Sequence, residues 1–171
     1  MSVKKLAATG VLLALCLLFQ LLKSISVFLT GPMVNAILII ATILVGPASG
    51  ALIALCSPLF AWLLGATPVI NMIPWMLPVI MLGNLAIVFV PWLLWKKNPI
   101  GGLALGSVVK ACFLWLTVWY VVLPLFGAGL PAKMVATVRT TFSVTQLITA
   151  LLGSVIAFIV IDRIGKHTKT N

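Results

Sequence analysis

Lys110 is the residue whose chemistry most needs an explanation. It sits inside an apolar stretch running from about Gly102 to Leu123, and no helix end accounts for its charge. An ammonium at the middle depth of a bilayer costs ~2.5 to 3.5 kcal/mol on insertion scales, so something must compensate it. Asn84, carried to a similar depth by the stretch from Trp75 to Trp95, is one candidate partner, and a carboxylate on a bound molecule is another. The competing reading is that Lys110 snorkels to the inner surface or bonds backbone carbonyls. On a helix, Ser107, Lys110, Leu114 and Thr117 fall at i, i+3, i+7 and i+10 and share one face.

Asn35, Asn71, Trp75, Arg139 and Gln146 join Asn84 and Lys110 as candidate substrate-binding residues. Asn35 lies one turn inside the second apolar stretch, and Gln146 near the outer end of the last. Asn71 and Trp75 flank the mouth of the fourth stretch, and Arg139 lies in the long loop before the last. Amides and cations hold a small molecule by hydrogen bonds and charge, and Trp75 can stack on a ring. An interfacial belt is the competing role for Trp75, as it is for Trp119 and Tyr120. Lys23, Lys110, Lys133 and Arg139 are available on this side and no acid lies on the outer half, so an anionic or neutral ligand is expected.

Catalysis is not expected. Cys16, Cys56 and Cys112 each lie within an apolar stretch, where cysteine is commonly a small buried hydrophobe. His167 is in the polar tail, and Asp162 is the single acid. No metal constellation, no nucleophile with an attendant base and no cofactor motif can be assembled from these.

The elements that position these side chains are membrane spans. Hydrophobic residues make up 63% of the 171 residues and charged ones 7%, against roughly 25% in a soluble domain. Mean hydropathy is +1.32, so the expected class is an all-α integral membrane protein. Spans of about 20 residues fit six times, as a compact six-helix bundle forming one membrane domain over residues 1–171. The expected helices are approximately 6–22, 32–46, 48–64, 75–95, 102–123 and 141–161. A basic head, an apolar run and Ser24-Ile-Ser26 also resemble a secretory signal peptide, but cleavage would leave an odd number of spans.

Turn chemistry marks the boundaries. Pro32 is expected at the first position of the second helix, where its missing N–H is not needed. Gly46-Pro-Ala-Ser-Gly50 makes a tight hairpin into the third helix, which Pro58 bends. Residues 65–74 and 124–140 are expected as loops. With both termini cytoplasmic, Lys4, Lys5, Lys96, Lys97, Arg163, Lys166 and Lys169 lie inside, against Lys23, Lys133 and Arg139 outside. That asymmetry follows the positive-inside tendency and turns the binding residues outward.

Six short helices, the Gly46-Pro47-x-x-Gly50 turn, a small-residue face at Gly10 and Ala14, Gly83-Asn84 and Lys110 together resemble a substrate-binding S component of the energy-coupling factor (ECF) transporters. The resemblance covers nearly the whole chain. It implies a multi-pass protein of a prokaryotic cell membrane that captures a vitamin or related micronutrient near the outer face. A membrane T component and two cytoplasmic ATPases are the implied partners. It further implies that Ala7, Gly10 and Ala14 form the surface that docks on the T component, with Gly10 where the family usually has alanine. The chain has no Walker phosphate loop, so external energy fits the pattern. A self-contained small carrier or channel, or a structural subunit of a larger membrane complex, is the alternative. The lack of buried acids argues against a coupled carrier, and a purely structural subunit leaves Lys110 and Asn84 unexplained.

Overall fold

A computed structural model describes residues 2–22 and 26–169. Helix α1 spans Val3–Leu21, started by Ser2, whose hydroxyl accepts from the Lys5 N–H at 3.4 Å. Lys23 and Ser24 lie outside the described residues, as do the side chains of Lys166, His167 and Lys169. Helix α2 spans Val27–Ile40 and so begins a turn and a half before the expected Pro32 start. Pro32 is inside the helix instead. Its ring forfeits one backbone bond, a loss that membrane helices tolerate where neighbouring groups re-satisfy the carbonyl. The first turn is tied by Thr30, whose N–H and hydroxyl both donate to the Ser26 carbonyl, at 3.1 and 2.8 Å.

Residues Ala41–Val45 widen into a π-helical turn that ends at Gly46 with φ +137°. Few L side chains adopt that conformation, which explains the glycine. Pro47 starts α3, Pro47–Leu63, and the N–H groups of Ser49 and Gly50 both return to the Gly46 carbonyl. A Cβ on Gly50 would collide with Thr42 Oγ1, so the second glycine of the hairpin is set by close approach. This turn is as expected.

Two expected loops are partly helical. Within 65–74 lies α4, Pro68–Met72, and within 124–140 lie the end of one helix and most of another. Helix α5 spans Met76–Leu94 and α6 spans Pro99–Thr117, with Asn98 capping α6 by accepting from the Gly101 N–H at 2.8 Å. A π-helical turn at Val118–Val122 carries α6 on into α7, Leu123–Phe126. Helix α8 spans Ala132–Thr141, and α9 spans Val144–Lys169, longer than the expected 141–161. In α8 only Val138 is buried, so its sequence is too polar to read as a span and was open to reading as loop.

Five helical stretches are long and apolar enough to cross a membrane, and α3 is apolar but only 17 residues long. The outer surface of the bundle is greasy, with Leu63, Leu93, Leu152 and Val155 among its exposed side chains, as suits lipid contact. Inside, Thr9 donates to Ser49 at 2.8 Å, which brings the starts of α1 and α3 to one end. Helices α2 and α9 run parallel, Gly31 against Thr149 and Gly153 against Asn35. The chain ends therefore share one end of the bundle, and α4 and α8 lie at the other.

Glycines set the helix spacing. A Cβ on Gly153 would lie 2.6 Å from both Asn35 Cβ and the Pro32 carbonyl, and one on Gly83 would lie 2.9 Å from Leu114. Without a hydrophobic drive between helices in lipid, such close approach is how α2 meets α9 and α5 meets α6. Two apolar clusters fill the interior. One contains Leu38, Ile53, Ile87 and Leu103, and the other Met76, Leu114, Val118 and Phe142. Between them, by position along α2, α5 and α6, comes a polar layer of Asn35, Asn84 and Lys110.

Candidate functional site

Lys110 is 4% exposed and faces inward from α6. Its Nζ donates to Asn35 Oδ1 at 2.5 Å and to Asn84 Oδ1 at 2.8 Å. Snorkelling is thus ruled out as its resting place, and Asn84 is a partner as the shared depth of α5 and α6 suggested. Asn35 is a second partner. It lies deeper than the outer-vestibule position expected of it, because α2 begins earlier and carries it further from the helix end. The ammonium fixes both amides with oxygen toward itself and nitrogen away, and Asn84 Nδ2 then donates to the Ala54 carbonyl at 3.4 Å. One turn before Lys110, Ser107 meets Ser154 at 2.9 Å and pins α6 to α9.

This cluster walls a cavity of about 80 Å³. Gln20 enters the wall from α1, Thr30 from α2, and Gln146 and Thr149 from α9. Pro58, inside α3, closes another side. Gln20 Nε2 reaches Cys16 Sγ at 3.7 Å, a weak acceptor, and Gln146 Nε2 donates to the Thr141 carbonyl at 3.1 Å. Among the described residues the lining carries one cationic side chain and no carboxylate; Asp162, the single acid of the sequence, lies near the far end of α9.

Four of the seven predicted binding residues, Asn35, Asn84, Lys110 and Gln146, therefore meet at one cavity. The other three do not join them. Asn71 Oδ1 accepts from Trp62 Nε1 at 2.7 Å on the exposed rim. Trp75 is 57% exposed and stacks on Phe126, with centroids 5.5 Å apart. Arg139 lies 5.1 Å over the Trp119 ring, whose Nε1 donates to the Arg139 carbonyl at 3.4 Å. Each is held by an aromatic neighbour rather than aimed at the cavity.

A second, larger cavity of about 470 Å³ lies at the end away from the termini, between the segment 64–69 and α8. Val27 and Phe142 line both cavities.

Sequence reasoning passed over Gln20 and Phe142. A signal for Gln20 existed, since Thr9, Cys16 and Gln20 fall at i, i+7 and i+11, and these are the buried residues of α1. Ala7, Gly10 and Ala14 are on the opposite, exposed side, and a Cβ on Gly10 would meet nothing within 4 Å. Of the five long stretches α1 is the least buried.

The family described as ECF transporter, substrate-specific component, matches residues 4–165. The chain belongs to this family. Neither a curated protein nor a solved structure matches it. As a substrate-specific component it is a membrane subunit that binds a transporter's substrate, and the family is one of transport subunits rather than enzymes. Transport by such a component involves a small molecule together with T-component and ATPase partners.

Proposed function

We propose that this component captures a small water-soluble vitamin or related micronutrient, anionic or neutral, with a polar group held at the cavity walled by Lys110, Asn35 and Asn84. The observation that carries the proposal is the buried ammonium held by two neutral amide oxygens at the edge of a polar cavity. Charged groups this deep in a membrane bundle are costly and mark function more often than structure. Within the lining, Gln146, Gln20 and Thr149 add hydrogen-bonding capacity without adding negative charge, which disfavours a cation. Asn71, Trp75 and Arg139 are given no contact with the captured molecule.

Capture occurs from outside, with both termini cytoplasmic in a prokaryotic cell membrane and six spans. Release inward follows docking on a membrane T component worked by two cytoplasmic ATPases. The docking surface is the exposed Ala7, Gly10 and Ala14 face of α1, where small side chains let a partner helix come close.

Native mass spectrometry of the gently purified chain tests the proposal, with Lys110→Ala beside it. The expected result is a bound anionic or neutral small molecule that is lost in the variant. An empty chain that carries only large partners, indistinguishable from Lys110→Ala, would point to a structural subunit. Tight binding of a permanently cationic vitamin would overturn the ligand class.

A further inference from the structure

We propose that the two cavities are halves of one bipartite site, partitioned by Phe142, for a molecule with a small oxygen-bearing head and a bulkier, largely apolar body. The inference rests on the capture role argued above and specifies the shape and chemistry of what is captured.

Size comes first. The inner cavity, about 80 Å³, holds a carboxylate-sized group but not a whole ligand, since sites for drug-sized molecules span roughly 300 to 1,000 Å³. The outer cavity, about 470 Å³, falls within that range.

Chemistry divides the halves in the same way. In the inner one, the Lys110 ammonium engages both asparagine oxygens, so Asn35 and Asn84 turn their N–H groups away from it. Asn84 Nδ2 is taken by the Ala54 carbonyl. A head presenting acceptor oxygens matches such a wall, and a donor-rich or cationic head does not. The outer half is lined by Leu64, Pro68, Val69, Met134 and Val138, an apolar surface to which Met lends adaptability. It also includes Thr67, 5% exposed, whose buried hydroxyl has no hydrogen-bond partner among the described residues. A buried hydroxyl left unpaired costs free energy, and a polar atom on the ligand body is the partner that this position can serve.

Phe142 stands where the halves meet. It ends α8 with φ −101° and ψ 44°, is 4% exposed, and lines both cavities together with Val27. Its side-chain volume therefore sets how wide a molecule can be at the junction of head and body. Phe142 is a specificity-determining residue.

The test uses the full chain in lipid nanodiscs with Cys16, Cys56 and Cys112 replaced by alanine and a single new cysteine, Gln146→Cys or Thr137→Cys. The probes are the anionic and cationic methanethiosulfonates MTSES and MTSET. At Gln146→Cys, MTSES reacts about tenfold faster than MTSET because Lys110 attracts the anion. Adding Phe142→Trp slows that reaction by about tenfold and Phe142→Ala speeds it, while Thr137→Cys in the outer half is unaffected and reports an intact fold. With Phe142 left in place, 4-phenylbutanoate protects both cysteines, whereas acetate protects Gln146→Cys alone. Labelling of Gln146→Cys that ignores residue 142, or 4-phenylbutanoate protecting only one of the two positions, overturns the bipartite site. None of these readouts needs the natural substrate or the T component. Their failure beside a Lys110-dependent bound molecule in native mass spectrometry sinks the bipartite site and leaves the capture role standing.

Discussion

Removing Lys110 and removing its partners are not equivalent operations. Lys110→Met keeps the length of the stem, discards a buried charge and leaves Asn35 and Asn84 each needing a new donor. Asn84→Ala instead keeps the charge and takes away one of the oxygens that hold it. Stranding a buried charge is the costlier error, because hydrogen bonds to charged groups are worth about 1.5 to 3 kcal/mol each and their loss leaves the desolvation cost in place. Thermal unfolding in detergent should therefore rank Asn84→Ala below Lys110→Met, and the reverse order would mean that the amides, not the ammonium, dominate the layer. Binding should respond differently from stability. Losing a charge-assisted contact of about 2 kcal/mol weakens affinity roughly thirtyfold, so titration of the ligand found by mass spectrometry against Lys110→Met should show that drop while the fold survives. If affinity holds within about threefold, Lys110 is a structural tie and the capture site lies elsewhere.

Helices were legible in the sequence wherever apolar length spoke for itself, and obscure wherever tertiary neighbours decided. The Gly46-Pro47 hairpin could be read because a positive φ and a proline-started helix are local demands. The start of α2 could not, because Pro32 looks like a helix start, and only Ser26, Thr30 and the packing of Gly31 against Thr149 show the chain is already helical there. Helix α8 escaped notice for the opposite reason, being short and polar with only Val138 buried. At the site, depth along α5 and α6 paired Asn84 with Lys110 correctly, but the approach of α1 and the placing of Gln20 depend on helix rotation, which residue types alone leave open. Two predictions belong to this scale. Gly153→Leu drives a side chain into Asn35 Cβ and the Pro32 carbonyl across the α2–α9 contact and should abolish monodisperse protein on size-exclusion chromatography, where Gly165→Leu, with open space around it, should not. Gly10→Leu, on the exposed face of α1, should leave ligand affinity unchanged and abolish co-purification with the T component and ATPases. Retained co-purification would move the docking surface off that face.

At the level of the whole molecule, charge and cavity are arranged about opposite ends. Lys4 and Lys5 at the start of α1, Lys96 and Lys97 between α5 and α6, and Arg163 late in α9 belong to the end that carries the termini. Lys133 and Arg139 on α8 belong to the end where the larger cavity lies. Positive side chains are retained on the cytoplasmic side during insertion, so five against two among the described side chains predicts that the cavities face outward. In the proposed orientation, a chain with no Walker phosphate loop loads itself without accumulating its ligand, and the proposed T component and ATPases supply the rest. The orientation is open to direct measurement. With the native cysteines replaced by alanine, Thr137→Cys on α8 should react with a membrane-impermeant maleimide in intact cells. Ser2→Cys, before α1, should react only after the cells are permeabilised. The opposite pattern would turn the cavities toward the cytoplasm, where capture from the medium is physically impossible, and would leave the Lys110 layer to serve release or assembly instead.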